Sequence, residues 1–188
     1  MPAIMVPKAT AEKPLVSGGG NAIHPEGVWN GRLERATGPQ ALPFTPKDGT
    51  GYTTPGDVEV IRLQFGGSKS LEGDGETNQK LFLDLVTRDG DATISDQKLP
   101  GTSWQLQRSQ TVASKLAQVM GATEEVEFEG ETYVATAEDF IERLGGGEFN
   151  DTAIGYEVYH GKEYTVKRGT PDEAKRRDAL VKDFFTAV

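Results

Sequence analysis

The sequence predicts a mainly β chain with inserted helices, in the order strand, strand, strand, helices, strand, strand. Three observations lead there. Apolar and polar residues alternate with period two in three stretches between Gly27 and Arg88. The apolar spacing then becomes helical within an insertion at about 103–145, and alternation returns from Ala153. A chain of 188 residues has room for one domain with a proper core and ordered appendages, and no second full domain is expected.

Residues 1–26 are rich in Pro, Ala and Gly and lack periodicity, so they read as an extended N-terminal arm that a partner would have to hold. The domain proper is expected over 27–168. In its first strand Trp29, Gly31 and Leu33 alternate with Asn30, Arg32 and Glu34. A large loop at 37–56 follows, broken by Pro39, Pro43, Pro46 and Pro55. Strand two, about Val58–Phe65, turns Ile61, Leu63 and Phe65 to one face and Val60, Arg62 and Gln64 to the other. Strand three, about Lys80–Arg88, turns Leu81, Leu83 and Leu85 inward, with Lys80, Phe82, Asp84, Val86 and Arg88 outward. Val112, Leu116, Val119 and Met120 then recur at helical spacing, and Gly121 stops that helix. A second helix reads from Thr136 as N-cap through Phe140, Ile141 and Leu144 to a triple glycine. Ala153–His160 and Glu163–Val166 read as a hairpin turning at Gly161. Thr170-Pro171-Asp172-Glu173 is a good helix start, so 169–188 is expected to be a C-terminal helix or tail, with Leu180, Val181, Phe184 and Phe185 as the apolar stripe of the helix.

This order fits a five-stranded OB-type barrel, which commonly carries a helix between strands three and four. An antiparallel sheet or sandwich with helices on one side fits the same local patterns.

Charge is segregated. The net charge is -9, and residues 121–151 alone hold ten acids against Arg143, so the rest of the chain is balanced. Screening beyond about 8–10 Å lets such a chain keep a locally basic groove. There are no cysteines, which removes disulfides and thiolate metal sites and fits a reducing compartment. No run approaches the roughly 20 apolar residues of a membrane helix, and Met1–Thr10 has no basic segment leading into an apolar one; a cytoplasmic location is the expectation.

The opening Pro25-Glu26-Gly27-Val28-Trp29-Asn30-Gly31-Arg32-Leu33, the helix end Leu116–Gly121 and the Gly161-Lys162 turn resemble a family of bacteriophage OB-fold proteins that bind single-stranded DNA. The resemblance spans roughly Pro25–Arg168. It implies protection of single strands during phage replication or recombination, in the host cytoplasm, with replication or recombination proteins as further partners. Such proteins often end in an acidic tail with a terminal aromatic. Here Asp183-Phe184-Phe185 runs on into Thr186-Ala187-Val188, and 170–188 holds four acids and four bases, so docking on the barrel or on another subunit of a homo-oligomer is the better reading.

The candidate binding residues follow from exposure and chemistry. Phe82 lies on the polar face of strand three near Lys80 and Arg88, as a base-stacking platform would; it could equally pack beneath the 37–56 loop or a helix. Arg62, Gln64 and Arg32 share the corresponding faces of the neighbouring strands and could reach phosphates. Trp104 and Arg108 alternate in Trp104-Gln105-Leu106-Gln107-Arg108, offering a second stacking residue with its phosphate contact, or a cap on the open barrel end. Tyr159 is the best-placed tyrosine of the last hairpin, and Phe44, Lys47 and Tyr52 arm the long loop.

Enzyme readings lack their parts. There is no G-x-S-x-G, no phosphate loop and no H-E-x-x-H, and His24 and His160 have no suitable second zinc ligand. Asp89-Gly90-Asp91 starts like a calcium loop but lacks the later ligands and reads as a turn. No catalytic residue, metal or cofactor is expected. The expectation is a non-catalytic single-stranded DNA-binding protein with little sequence readout. The alternative is a virion or assembly module that binds no nucleic acid.

Overall fold

The computed structural model describes residues 4–11, 17–18, 23–41, 58–96, 104–166 and 174–188. In chain order the elements are β1 Met5–Pro7, α1 Lys8–Ala11, β2 Ser17–Gly18, β3 Gly27–Ala41, β4 Val58–Ser70, β5 Glu76–Thr77, β6 Leu81–Asp89, β7 Ala92–Thr93, α2 Trp104–Val119, β8 Thr123–Phe128, β9 Glu131–Thr136, α3 Phe140–Gly145, β10 Thr152–His160, β11 Tyr164–Val166, β12 Ala174–Arg176 and β13 Ala179–Phe185. The chain is mainly β, and its largest sheet is antiparallel and curled into a half-barrel, in the order β2-β13-β10-β3-β4-β6-β7 with β5 beside β4.

The alternation read from the sequence sets this sheet's inner face. Leu33, Ile61, Leu63, Phe65, Leu81, Leu83, Leu85, Ile154 and Tyr156 are all at most 1 % exposed. Val60 and Val86, expected outward, face each other across β4 and β6 and are buried too. Strand β3 runs 15 residues, and its register against β4 shifts three times, between Asn30 and Arg32, Leu33 and Arg35, and Thr37 and Gln40. Such bulges bend a strand and increase its twist. The result is measurable: β13 and β4 are three strands apart, about 14 Å in a flat sheet, yet the Phe65 and Phe184 rings meet at 5.4 Å. Two glycines allow this close packing. A Cβ on Gly31 would collide with the Tyr156 hydroxyl, and one on Gly145 would collide with the Gly38 carbonyl where α3 crosses β3.

Helix α2 packs beside β6 and reaches β13. Ser109 Oγ accepts a 2.8 Å hydrogen bond from the Val86 N–H, occupying a backbone donor of β6, and Lys115 Nζ lies 3.2 Å from Asp183 Oδ1 on β13. Its apolar face of Leu106, Val112, Ala113, Leu116 and Ala117 is buried. The expected stop at Gly121 is present: Gly121 takes φ 70°, its N–H donates to Gln118 O, and the Ala122 N–H donates to Ala117 O, which satisfies the last carbonyls.

Several expectations are corrected. Residues 179–185 are a strand, not part of a C-terminal helix: β13 pairs with β10 from Gly155↔Phe185 to His160↔Ala179. An available sheet edge outcompetes a local helix signal when β-branched and aromatic residues are there to pack. The hairpin at Gly161 does not form, because β3 and β13 take both edges of β10, and Tyr164–Val166 pairs instead with Ala174–Arg176. The insertion is not two helices alone. Between α2 and α3 lies the β8–β9 hairpin, and Thr136 ends β9, leaving Asp139 at the cap position without a side-chain capping bond. Within the expected arm, Met5–Pro7 pairs with β9, and Ile4, Val6 and His24 are buried. The expected loop begins as strand through Ala41, whereas Phe44, Lys47 and Tyr52 lie outside the described residues. No described helix is long and apolar enough to cross a membrane.

If this packing closes the half-barrel, Phe184→Ala should cost about 3–5 kcal/mol in urea unfolding, as for other buried aromatics. Ser109→Ala, which strands the Val86 N–H, should cost about 1–3 kcal/mol. A loss below about 0.5 kcal/mol for both would remove α2 and β13 from the closure.

Candidate nucleic-acid interface

The candidate binding residues that the structure describes fall into two groups. The first lies on the outer face of the sheet. Arg62 and Gln64 on β4 stand opposite Asp84 and Phe82 on β6, and Arg32 on β3 stands between Gly66 and Ala153. Phe82 is half-buried and Arg32 is exposed. Three of the cations arrive paired: Arg62 grips Asp84 with two bonds of 2.8 and 2.9 Å, Lys80 meets Glu34 at 2.6 Å, and Arg88 meets Glu59 at 3.2 Å. The Asp84 hydrogen bonds raise the Arg62 pKa against the opposing effect of burial. Burial works to raise Glu34, but hydrogen bonds from Lys80 and Gln64, with the Lys80 charge, hold it below its ordinary value. This face is therefore a ladder of satisfied ion pairs, and a phosphate would have to displace a carboxylate to reach it.

The second group centres on the start of α2. Trp104 and Arg108 belong to the first turns of α2 and do not alternate along an extended segment. At a spacing of i, i+4 they share one side of the helix. The Arg108 guanidinium lies over the Trp104 ring, 5.1 Å from its centroid, and Trp104 is 51 % exposed. Tyr159, at the end of β10, is half-buried; burial raises its phenol pKa, and the Arg108 charge opposes that rise. Lys115–Asp183 ties α2 to β13, the strand that pairs Leu180 with Tyr159 of β10. The start of α2 thus offers an exposed indole with a cation over its ring. An exposed indole can stack a flat ring. No family model, curated protein or solved structure matches this chain.

A different constellation was not visible in the sequence. His24, Ser68 and Tyr156 form a hydrogen-bonded chain inside the core, each at most 1 % exposed. His24 Nδ1–H donates to Pro25 O at 2.9 Å, so its Nε2 accepts from the Ser68 hydroxyl at 2.9 Å, and Ser68 accepts in turn from the Tyr156 hydroxyl. His160 Nε2–H donates to the His24 carbonyl at 2.7 Å. The three residue types resemble a nucleophile with its base, but nothing reaches them from solvent, and the arrangement ties Pro25 to β4 and β10. Burial lowers the His24 pKa, the bond to Pro25 opposes this, and the charge of His160 adds to the lowering. Burial likewise pushes the Tyr156 phenol up to about 12.

A histidine whose folded pKa is depressed contributes stability above its unfolded value, about 6.5, and that contribution is lost as pH falls through the folded value. His24→Gln should therefore be less stable at pH 7.5 but should lose less stability between pH 7 and 5 than the parent, followed by denaturant midpoints. Parallel curves for the two proteins would show that His24 is not the neutral, buried group described.

Proposed function

We propose that this protein is a non-catalytic binder of single-stranded DNA, with Trp104 and Tyr159 as stacking groups and Arg108 as the phosphate contact. The exposed Trp104 carrying Arg108 on its ring is the observation that carries the reading. Bases of any sequence have a π-face, so sequence readout should be weak. The five long strands, β3, β4, β6, β10 and β13, with α2 between the third and fourth, support an OB-type reading of the curled sheet, whose barrels are often partly open. Arg32 extends the surface, and Arg62, Lys80, Phe82 and Arg88 form a secondary face that binds only by exchanging its ion pairs. In the role implied by the sequence resemblance, the protein would cover single strands in phage DNA replication or recombination, in the host cytoplasm.

A second reading, a virion or assembly module without nucleic-acid binding, is favoured by one observation, the neutralised strand face. The two separate in solution. Fluorescence anisotropy with labelled oligonucleotides should show preference for single strands over duplex and a steep loss of affinity with salt. Trp104→Ala should weaken binding by about 1–3 kcal/mol with the melting temperature unchanged, and Phe82→Ala should do less. Undetectable binding at micromolar protein and low salt would end the single-strand reading in favour of the assembly module. Equal affinity of Trp104→Ala and parent would move the site off this patch.

A further inference from the structure

The β8–β9 hairpin lies in the three-stranded sheet β1-β9-β8, so β8 has one partner and one open edge among the described residues. Its turn decides which backbone groups face outward. Glu129 and Gly130 both take positive φ, 51° and 79°, the two-residue turn that makes Phe128 and Glu131 the closing hydrogen-bonded pair. The ladder alternates from there. Two bonds at the far end agree with this phase: the Ala137 N–H donates across to Ala122 O at 2.9 Å, while the Thr136 N–H turns the other way, to Ile4 O at 2.7 Å. Glu124, Val126 and Phe128 therefore bond β9, and the N–H and C=O groups of Thr123, Glu125 and Glu127 project from the open edge. Such an edge is a template for an added strand.

The side chains specify what that strand should be. From Thr123 to Thr136 there are five glutamates and no lysine or arginine. Glu125 and Glu127 lie on one face, Glu125 meeting Lys8 at 2.9 Å and Glu127 accepting a bond from Thr132. The opposite face carries Val126 and Phe128, the latter 47 % exposed with its ring edge-on to Tyr133 at 6.2 Å. A second copy of β8 would bring glutamates opposite glutamates, which destabilises a pair. A strand alternating cations with apolar residues would set its cations beside Glu125 and Glu127 and its apolar residues beside Val126 and Phe128. We propose that β8 is the docking edge for an extended, basic segment of a partner protein, which adds as a fourth strand to this sheet. Carboxylates alone would merely keep the edge from self-association. Here the open backbone supplies the bonds, the apolar stripe fixes the facing, and the charge selects the partner.

The test uses the full chain and a labelled peptide, acetyl-Lys-Val-Lys-Phe-Lys-Val-Lys-amide, read by anisotropy. Proline at position 125 removes an outward N–H without breaking a bond to β9, so Glu125→Pro separates backbone docking from hairpin stability. Binding should weaken about tenfold or more in Glu125→Pro and only a few-fold in Glu125→Gln, with a peptide bearing glutamates for lysines not bound. Glu127→Pro should repeat the loss and serves if Glu125→Pro fails to keep its circular dichroism. Equal losses in the Pro and Gln variants would reduce the contact to plain charge attraction and overturn strand addition. Absence of peptide binding by the parent would overturn it as well, as would a dimer in sedimentation that Glu125→Pro dissolves, since the edge would then belong to a second copy.

Discussion

The contact between Phe65 and Phe184 is the constraint from which the rest of this structure follows. Rings on strands three apart cannot touch unless the sheet curls, and the curl comes from the repeated register shifts of β3 against β4. Curling turns one face into a closed interior for Leu33, Leu63, Leu83 and Tyr156, and it leaves an open side between β6 and β13. Helix α2 reaches both, bonding the Val86 N–H through Ser109 and reaching Asp183 through Lys115. The position of Trp104 and Arg108, on the first turns of α2, is thus a consequence of how the half-barrel is closed.

Charge is distributed by the same logic. The outer face of the sheet balances each of Arg62, Lys80 and Arg88 with a carboxylate from an adjacent strand. Exposed pairs of this kind contribute little to stability, about 0–1 kcal/mol each, but they neutralise the face. Five glutamates lie away from it on the β8–β9 hairpin, in a separate sheet. An anionic ligand at the start of α2 and a basic partner at β8 would therefore meet different elements of the molecule.

The three strands β3, β4 and β6 were legible because half-buried antiparallel strands alternate in composition, and α2 was legible from Val112 and Leu116 together with the Gly121 stop. What failed was pairing. Ala179–Phe185 reads locally as the apolar stripe of a helix, and only the free edge of β10 makes it a strand. Glu124–Glu131 reads as a solvated acidic run, although Glu129-Gly130 is a turn with both residues at positive φ. Its alternation was masked because polar residues sit on both faces of β8. Within the candidate site, the chemistry of Trp104 and Arg108 is legible, and both share one side of α2 at a spacing of i, i+4 rather than by strand alternation. Their placement relative to the sheet depends on α2 being tied to β13 through Lys115 and Asp183. The pairing of Arg62 with Asp84 was readable in principle, since facing positions on strands two and three carry opposite charges. His24 joined a hydrogen-bonded chain with Ser68 and Tyr156 that no local pattern announces, because its members lie 44 and 88 residues apart.

The chain has two tryptophans, one buried and one exposed, and this makes one measurement decisive for the functional account. Indole N–H resonances followed by NMR during titration with an oligothymidylate of about ten nucleotides should show the Trp104 signal shifting in step with saturation. The Trp29 signal, beneath the His24 ring in the core, should stay in place. A saturating titration that leaves Trp104 unmoved would contradict the placement of the binding surface at the α2 and β10 patch.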